Sequence, residues 1–350
     1  MSLLPPEQAD FHANQAPSRE VNARALAFAD AMAELHASLE LAAVAERAES
    51  AVERLFADAS ARLLAIDAVR GALIRESAEG LEIENIALAP ATFEGRVALT
   101  GESGAEAGAL CVALRNSGGR IVGVLVARAS GLSARQDLPW LERLARPVAM
   151  AVENARLHGE LKKGFIETAE ALAEAIEKKD RCTGGHAKRV AHFAVRIGRE
   201  LGLAAGGLER LRLSALLHDV GKIGIEDQIL KKGAGLEAPE WSVMRTHPEL
   251  GYQILRRISG MGDVVDGMRF HHERWDGRGY PLGLAGEEIP RVARIIAVAD
   301  AYDAMISTRP YRQGIASECA AREIRAGSGT QFDPEVVAAF ERAFLKIANP

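Results

Sequence analysis

Between positions 186 and 303 the chain repeatedly places a histidine or an aspartate where a hydrophobic stripe calls for an apolar side chain. No other feature limits its fold as much. His186 opens a helical stripe continued by Val190, Phe193, Ile197 and Leu201, and Leu211 and Ala215 lead on to His218. Asp219 follows, and Gly221 is expected to end that helix. His247 precedes Pro248, a residue suited to begin a helix, so it should sit at a helix start. Val264, Met268, His271 and His272 fall on one helical face, as do Val292, Ile296, Asp300 and Asp303. His192 falls on the outer side of its helix and reads as a solvated bystander. A single histidine in a stripe is most often a hydrogen-bonded core residue. Five helices sharing the pattern point instead to one site, because buried ionisable groups are costly unless paired or bound to metal.

Imidazole and carboxylate donors together suit iron, manganese or zinc rather than magnesium or calcium. Seven candidate ligands (His186, His218, Asp219, His247, His271, His272 and Asp300) exceed the set of one ion. Two ions bridged by a carboxylate use them sensibly, and Asp219 is the natural bridge. Paired ions clamp the attacking and leaving oxygens of a phosphoryl displacement and activate water, so no serine or cysteine nucleophile is needed. Lys222, three residues after Asp219, is placed to neutralise a phosphate oxygen. Its plainer reading is a lysine offsetting a helix dipole. The segment 273–286 carries Gly277, Gly279, Gly283 and Gly286, which exclude helix and would let backbone N–H groups approach a phosphate. Arg309 and Arg312 flank Pro310-Tyr311 and suit a phosphate beside a stacked base, or are simply a solvated basic turn.

The first half has a different texture. Residues 1–20 read as a flexible arm; 22–58 are rich in alanine, leucine and glutamate, and the run Leu39, Val44, Ala48, Val52 and Phe56, near a 3.6 period, reads as helix. Arg62–Ile74 is expected to be a strand. Ala109–Leu114 and Arg120–Ala127 should pair as a hairpin across Asn116-Ser117-Gly118-Gly119. From Pro139 the chain returns to helix. Leu157, Leu161, Phe165, Thr168, Leu172 and Ile176 step by three or four, either as a parallel coiled coil between two copies or as a helix lying on its own domain.

Composition narrows the function classes. Forty-three basic against 48 acidic side chains give a net charge of −5, which argues against a duplex nucleic-acid binder. Cys111, Cys182 and Cys319 imply no disulfide framework and fit a reducing cytoplasm. The start lacks the pattern of a signal peptide, and no apolar run reaches the roughly 20 residues of a membrane span.

His218-Asp219-Val220-Gly221-Lys222, with His271-His272-Glu273-Arg274-Trp275-Asp276-Gly277-Arg278-Gly279-Tyr280-Pro281, resembles the HD-GYP family of metal-dependent phosphodiesterases. Ile289-Pro290, Ala297–Ala304, Arg309–Arg312 and Gly329–Pro334 agree, so the resemblance covers about 165–345. It implies an all-helical domain with an iron or manganese centre that hydrolyses cyclic di-GMP to pGpG or GMP. It implies that the seven residues above are ligands, and that Lys222 contacts the scissile phosphate. It also gives Asp303 the substrate or leaving group, Arg309 and Arg312 the phosphates, and Gly279 and Tyr280 the pocket lining. Members with a third metal carry a glutamate where this chain has Cys182, which favours two ions here. Lys231-Lys232-Gly233 replaces the usual Lys-Pro-Gly.

The hairpin 109–127, Leu132–Asp137 and Ala151–Leu157 resemble a GAF sensor domain, which implies an α/β domain with an antiparallel sheet, serving as a sensor or as a dimeriser. Cys111 lies in an expected strand with no histidine nearby, so no cofactor anchor is expected there. The expected organisation is an arm at 1–20, a GAF-like domain at 21–150, a connecting helix at 151–180 and the phosphohydrolase domain at 181–345. The expected protein is a cytoplasmic homodimeric cyclic di-GMP phosphodiesterase. The alternatives are a catalytically silent receptor and a hydrolase of another cyclic dinucleotide such as cyclic GMP-AMP.

Overall fold

A computed structural model of the chain describes residues 19–35, 37–56, 58–76, 82–180, 184–308 and 313–345. The chain divides into two compact units, Met1–Lys163 and Gly164–Pro350. The expected arm (1–18 of it), Cys182, Arg309 and Arg312 lie outside the described residues.

In the first unit, α1 (Arg19–Leu35) and α2 (Leu41–Leu55) precede β1 (Ser60–Asp67), β2 (Ala72–Glu76) and β3 (Glu82–Ala87). Then come α3 (Phe93–Thr100), β4 (Gly104–Glu106), β5 (Ala109–Arg115), β6 (Ile121–Arg128) and α4 (Leu138–Lys179). The run expected to be helical from Leu39 to Phe56 forms α2, and α1 precedes it. The expected strand 62–74 is two strands folded back at Gly71, whose φ is 63°. The antiparallel sheet has the order β3-β2-β1-β6-β5-β4. The hairpin forms as expected. Gly119 takes a φ of 77°, and the Asn116 side-chain oxygen accepts from the N–H groups of Gly118 and Arg120.

Strand alternation gives the sheet two apolar faces. Leu63, Leu110, Val112, Leu114 and Leu125 pack with α1, α2 and residues 141–155 of α4. Leu64, Leu73, Cys111, Val124 and Val126 face α3. Glu49 of α2 is buried and accepts from the backbone of Leu63 and from the Arg75 guanidinium, so its charge is matched where it meets the sheet. On α4, Leu157, Leu161, Phe165 and Leu172 are exposed, whereas Ile176 is buried in the second unit.

The second unit is helical. It contains α5 (His186–Glu200), α6 (Ala205–Leu217), a 3-10 segment Val220–Gly224, α7 (Asp227–Leu230), α8 (Ala238–Met244), α9 (His247–Leu255) and α10 (Gly262–Arg269). A second 3-10 turn, Gly286–Glu288, leads to α11 (Arg291–Ile306), α12 (Ser317–Ala326) and α13 (Pro334–Leu345). Its main core joins α5, α6, α11, α12 and α13 through residues such as Val190, Ile197, Leu211, Ile296 and Phe340. Tyr302 sits edge-on between Phe193 and Phe340, at 5.2 and 4.9 Å between ring centroids. A second cluster joins Ala169 and Ile176 of α4 to Leu213, Leu217, Val264 and Met268. No helix among the described residues is long and apolar enough to cross a membrane.

Candidate metal centre

The seven candidate ligands come together, six at or just beyond helix ends and Asp300 from within α11. His186 is the first residue of α5, His218 caps the end of α6, and His247 is the first residue of α9. His271 and His272 follow the end of α10 at Arg269, so they lie in a turn rather than on the expected helical face. Asp300 projects from α11. Helix ends suit a site that needs several backbones to converge, because each end brings one side chain in without threading a whole helix through the core.

Asp219 stands at the centre. Its Oδ2 lies 3.4 Å from His218 Nε2 and 3.9 Å from His186 Nε2, while its Oδ1 lies 3.4 Å from His247 Nε2. Asp300 Oδ1 lies 3.2 Å from His186 Nε2 and 4.0 Å from His218 Nε2. His186, His218 and Asp300 form one group with metal-ligand spacing, and His247, His271 and His272 form another. His218, Asp219 and His271 form a third, which overlaps both.

The outward nitrogens of these rings are already committed. Nδ1 pairs with the carbonyl of Ala215 in His218 (2.7 Å), of Met244 in His247 (2.9 Å) and of Met268 in His271 (2.5 Å). That arrangement places the proton on Nδ1 and turns the lone pair of Nε2 inward. The Nε2 atoms of His218, His247 and His271 are buried and have no hydrogen-bond partner among the described residues. Buried polar atoms are rarely left so, and three inward lone pairs beside two carboxylates fit divalent transition metal ions.

Electrostatics divides the centre in two. Burial lowers the basicity of His247 and His271, and burial with the neighbouring His247 takes His272 down to about 3. These three rings are neutral at pH 7. Burial also opposes the charged form of His186, but Asp300 and Asp303 outweigh it and raise its pKa to about 9. Burial would raise the Asp219 carboxyl, yet Lys222 and His218 hold it well below the usual range.

Lys222 lies in the 3-10 segment, with Nζ 2.7 Å from Asp219 Oδ2 and 3.2 Å from Asp180 Oδ2. Burial disfavours its charge, but the two carboxylates keep it an ammonium. Gly221 does not end α6, which stops at Leu217. It is a point of close approach, since a Cβ there would lie 1.8 Å from the His247 carbonyl oxygen. The glycine thus lets the Asp219 segment and the start of α9 meet.

A cavity of about 500 Å³ opens over the centre, and His186, Asp219, Lys222, His272, Asp300 and Tyr280 are among its walls. Leu236, Trp241 and Met244 give it an apolar side, and residues 232–235 close one edge. Tyr280 stacks on His272 at 4.8 Å.

Three expected roles change. Asp303 is 1% exposed and does not line the cavity. Its oxygens are taken by His186 Nδ1 (2.7 Å) and by Arg189, so it orients a ligand instead of facing substrate. Gly279 also does not line the cavity, because it is pressed against the backbone of Glu273 and Arg274. The glycine-rich loop presents no phosphate cradle at Leu282 and Gly283, whose N–H groups donate to the buried Glu273 carboxylate. Sequence reasoning missed Asp180 and Arg189. Arg189 follows His186 by one helical turn, which was the available signal.

The helical unit gathers histidine and aspartate side chains with metal-ligand spacing around a cavity, and the family model described as "HD domain" matches residues 170–336. This half of the chain thus matches that family, and it carries the His218-Asp219 pair and the Gly279-Tyr280-Pro281 triplet. Over 180 residues it is 42% identical to a cyclic di-GMP phosphodiesterase response regulator, RpfG, of Xanthomonas campestris, covering 50% of this chain and 47% of the relative. Over 189 residues it is 42% identical to a cyclic di-GMP phosphodiesterase of Thermotoga maritima, covering 53% and 51%. It is 37% identical to 3'3'-cGAMP-specific phosphodiesterase 2 of Vibrio cholerae over 203 residues, covering 57% and 39%. The chain thus spans about half the length of these relatives, or less.

Proposed function

We propose that the chain hydrolyses cyclic di-GMP to pGpG or GMP at a centre of two divalent metal ions, iron or manganese. The observation that carries this reading is the split of Asp219, one oxygen toward His186 and His218 and the other toward His247. His186, His218 and Asp300 would hold one ion, His247, His271 and His272 the other, and Asp219 both. Such a pair supplies Lewis acidity and an activated water for phosphodiester hydrolysis.

The chain's own residues set the rest of the chemistry. Lys222 offers a fixed ammonium to the scissile phosphate from the cavity wall. Tyr280, held by its stack on His272, bounds the space over the centre and limits how the substrate enters. Asp303 and Arg189 fix the His186 ring. Arg309 and Arg312 follow α11 and are assigned to the substrate phosphates. Cys182 is not assigned to a third ion.

The first unit, α/β with an antiparallel sheet, is read as a GAF-like domain that tunes activity through α4. The exposed stripe Leu157, Leu161, Phe165 and Leu172 supports a homodimer along that helix. The proposed location is the cytoplasm.

A second reading, hydrolysis of 3'3'-cyclic GMP-AMP, is favoured by the likeness to the Vibrio cholerae enzyme of that specificity. The test is turnover of both dinucleotides by anaerobically purified protein, with metal counted on the same sample. Two ions per chain with faster cyclic di-GMP cleavage supports the proposal, and faster cyclic GMP-AMP cleavage moves the assignment to the second reading. Tight binding without product makes the protein a receptor, and no metal after reconstitution ends the metal-centre reading.

A further inference from the structure

We infer that the end of α4 and the residue after it are a positioning clamp for the metal centre, with Glu177 gripping the His186 side and Lys179 and Asp180 gripping the Asp219 segment.

Glu177 reaches the start of α5. Its Oε2 accepts from the N–H of Gly185 and its Oε1 from the N–H of Ala187, both at 2.6 Å. These amides belong to the turn where a helix cannot satisfy its own donors. Gly185, the residue before α5, has no side chain to cap them. A carboxylate from another helix therefore acts as the cap, and its charge faces the positive end of the α5 dipole. The two amides bracket His186, so the position of the cap is also the position of that ligand.

Lys179 grips the neighbouring segment. Its Nζ donates to the carbonyls of Ile223 (2.9 Å) and Ile225 (2.7 Å), at the end of the 3-10 segment that carries Lys222 and follows Asp219. Asp180 completes the clamp by accepting from Lys222 Nζ. Three side chains within four positions of α4 and its end thus hold His186, the Asp219 segment and Lys222. The opposite half is built differently. His247 and His271 are oriented by main-chain carbonyls of Met244 and Met268, and none of the clamp's hydrogen bonds described above reaches them.

Glu177 therefore acts on the group His186, His218 and Asp300, while Lys179 and Asp180 hold the Asp219 segment, which serves both groups. Glu177 is a positioning residue and sets the affinity of the first group for its ion. This rests on the two-ion reading above.

The test uses the full chain, stripped of metal and titrated with Mn2+, with the two binding events resolved. Glu177→Ala is expected to weaken one event by about 10- to 100-fold, the usual effect of losing an outer partner of a ligand, and to leave the other unchanged. Glu177→Gln keeps acceptor oxygen without charge and should fall between Ala and wild type. Lys179→Arg should bind as wild type, and Lys179→Met, which loosens the Asp219 segment, should weaken both events. Thermal melting of each apo variant, followed by circular dichroism, reports folding, and the Gln and Lys179 variants decide the matter if Glu177→Ala does not fold. Unchanged affinities, or an equal loss in both events for the Glu177 variants, overturn the clamp while leaving the two-ion centre standing. A wild-type chain that binds no pair of ions overturns both.

Discussion

Asp303 Oδ2 lies 2.7 Å from His186 Nδ1, and Arg189 Nε lies 2.6 Å from the other oxygen of the same carboxylate. Burial would raise the Asp303 carboxyl, but His186 and Arg189 hold it below its usual range. An ionised, 1% exposed carboxylate is poorly suited to deliver a proton to a leaving group. Its geometry is that of an orienting partner for a metal-ligating imidazole. Asp303→Ala is therefore expected to lower Mn2+ affinity by about 10- to 100-fold. Turnover lost with metal affinity intact would return Asp303 to a direct chemical role.

Metal should stabilise the fold as well as serve the chemistry. Three buried Nε2 atoms lack partners in the bare protein. An ion present at about 100 times its dissociation constant contributes roughly 2.7 kcal/mol. For a unit of this size that is on the order of 5–10 °C in melting temperature per site. Calorimetry with and without a chelator reads this directly, and a melting temperature indifferent to metal would count against these residues as ligands.

His247→Ala and His186→Ala should each cost mainly one ion, because the two rings face different oxygens of Asp219. Asp219→Ala should cost both. Metal analysis of the purified variants distinguishes these patterns, and an equal loss of both ions in all three would argue for a single merged site.

Gly221→Ala should be severe. Its Cβ would meet the His247 carbonyl, which is backbone and cannot swing away. The expected cost is roughly 3 kcal/mol or more, together with weakened metal binding. Gly233→Ala is the control, since nothing lies within 4 Å of its added carbon. Chemical denaturation of the two variants side by side tests the difference, and equal stability would refute the close approach.

Cys111 gives a pH prediction in the first unit. Burial, with Glu94 nearby, pushes its thiol to about 12. The sign follows from an unfolded thiol ionising near its ordinary value of about 8.5. The stabilisation is complete below that pH and is lost as pH rises toward 12. In the folded protein Cys111 should resist alkylation at pH 8 and react only on unfolding. Mass spectrometry of the labelled peptide decides, and rapid native labelling would contradict the burial.

The convergence of the candidate ligands was legible because most of them interrupt or adjoin a hydrophobic period, and a period can be read from one short segment; His247 was placed instead by Pro248 beside it. Asn116 to Gly119 was legible for a similar reason, since turn chemistry is local. What stayed hidden depends on partners distant in sequence. Gly221 looked like a helix end, but its need for space comes from His247, 26 residues later. Asp303 shares the face of Asp300, and only the arrival of Arg189 and His186 from another helix separates an orienting carboxylate from one open to substrate. Glu177, Lys179 and Asp180 sit among many charged residues near the end of α4, and periodicity cannot single them out.

The main-chain carbonyls behind His218, His247 and His271 have an evolutionary consequence. A carbonyl is present whatever amino acid occupies its position, so substitution at Ala215, Met244 or Met268 need not abolish those three anchors. His186 differs, because its anchor is a side chain and can be mutated. Drift in the coding sequence can therefore retune the metal centre from the His186 side, while the three-histidine side inherits its settings from the path of the backbone.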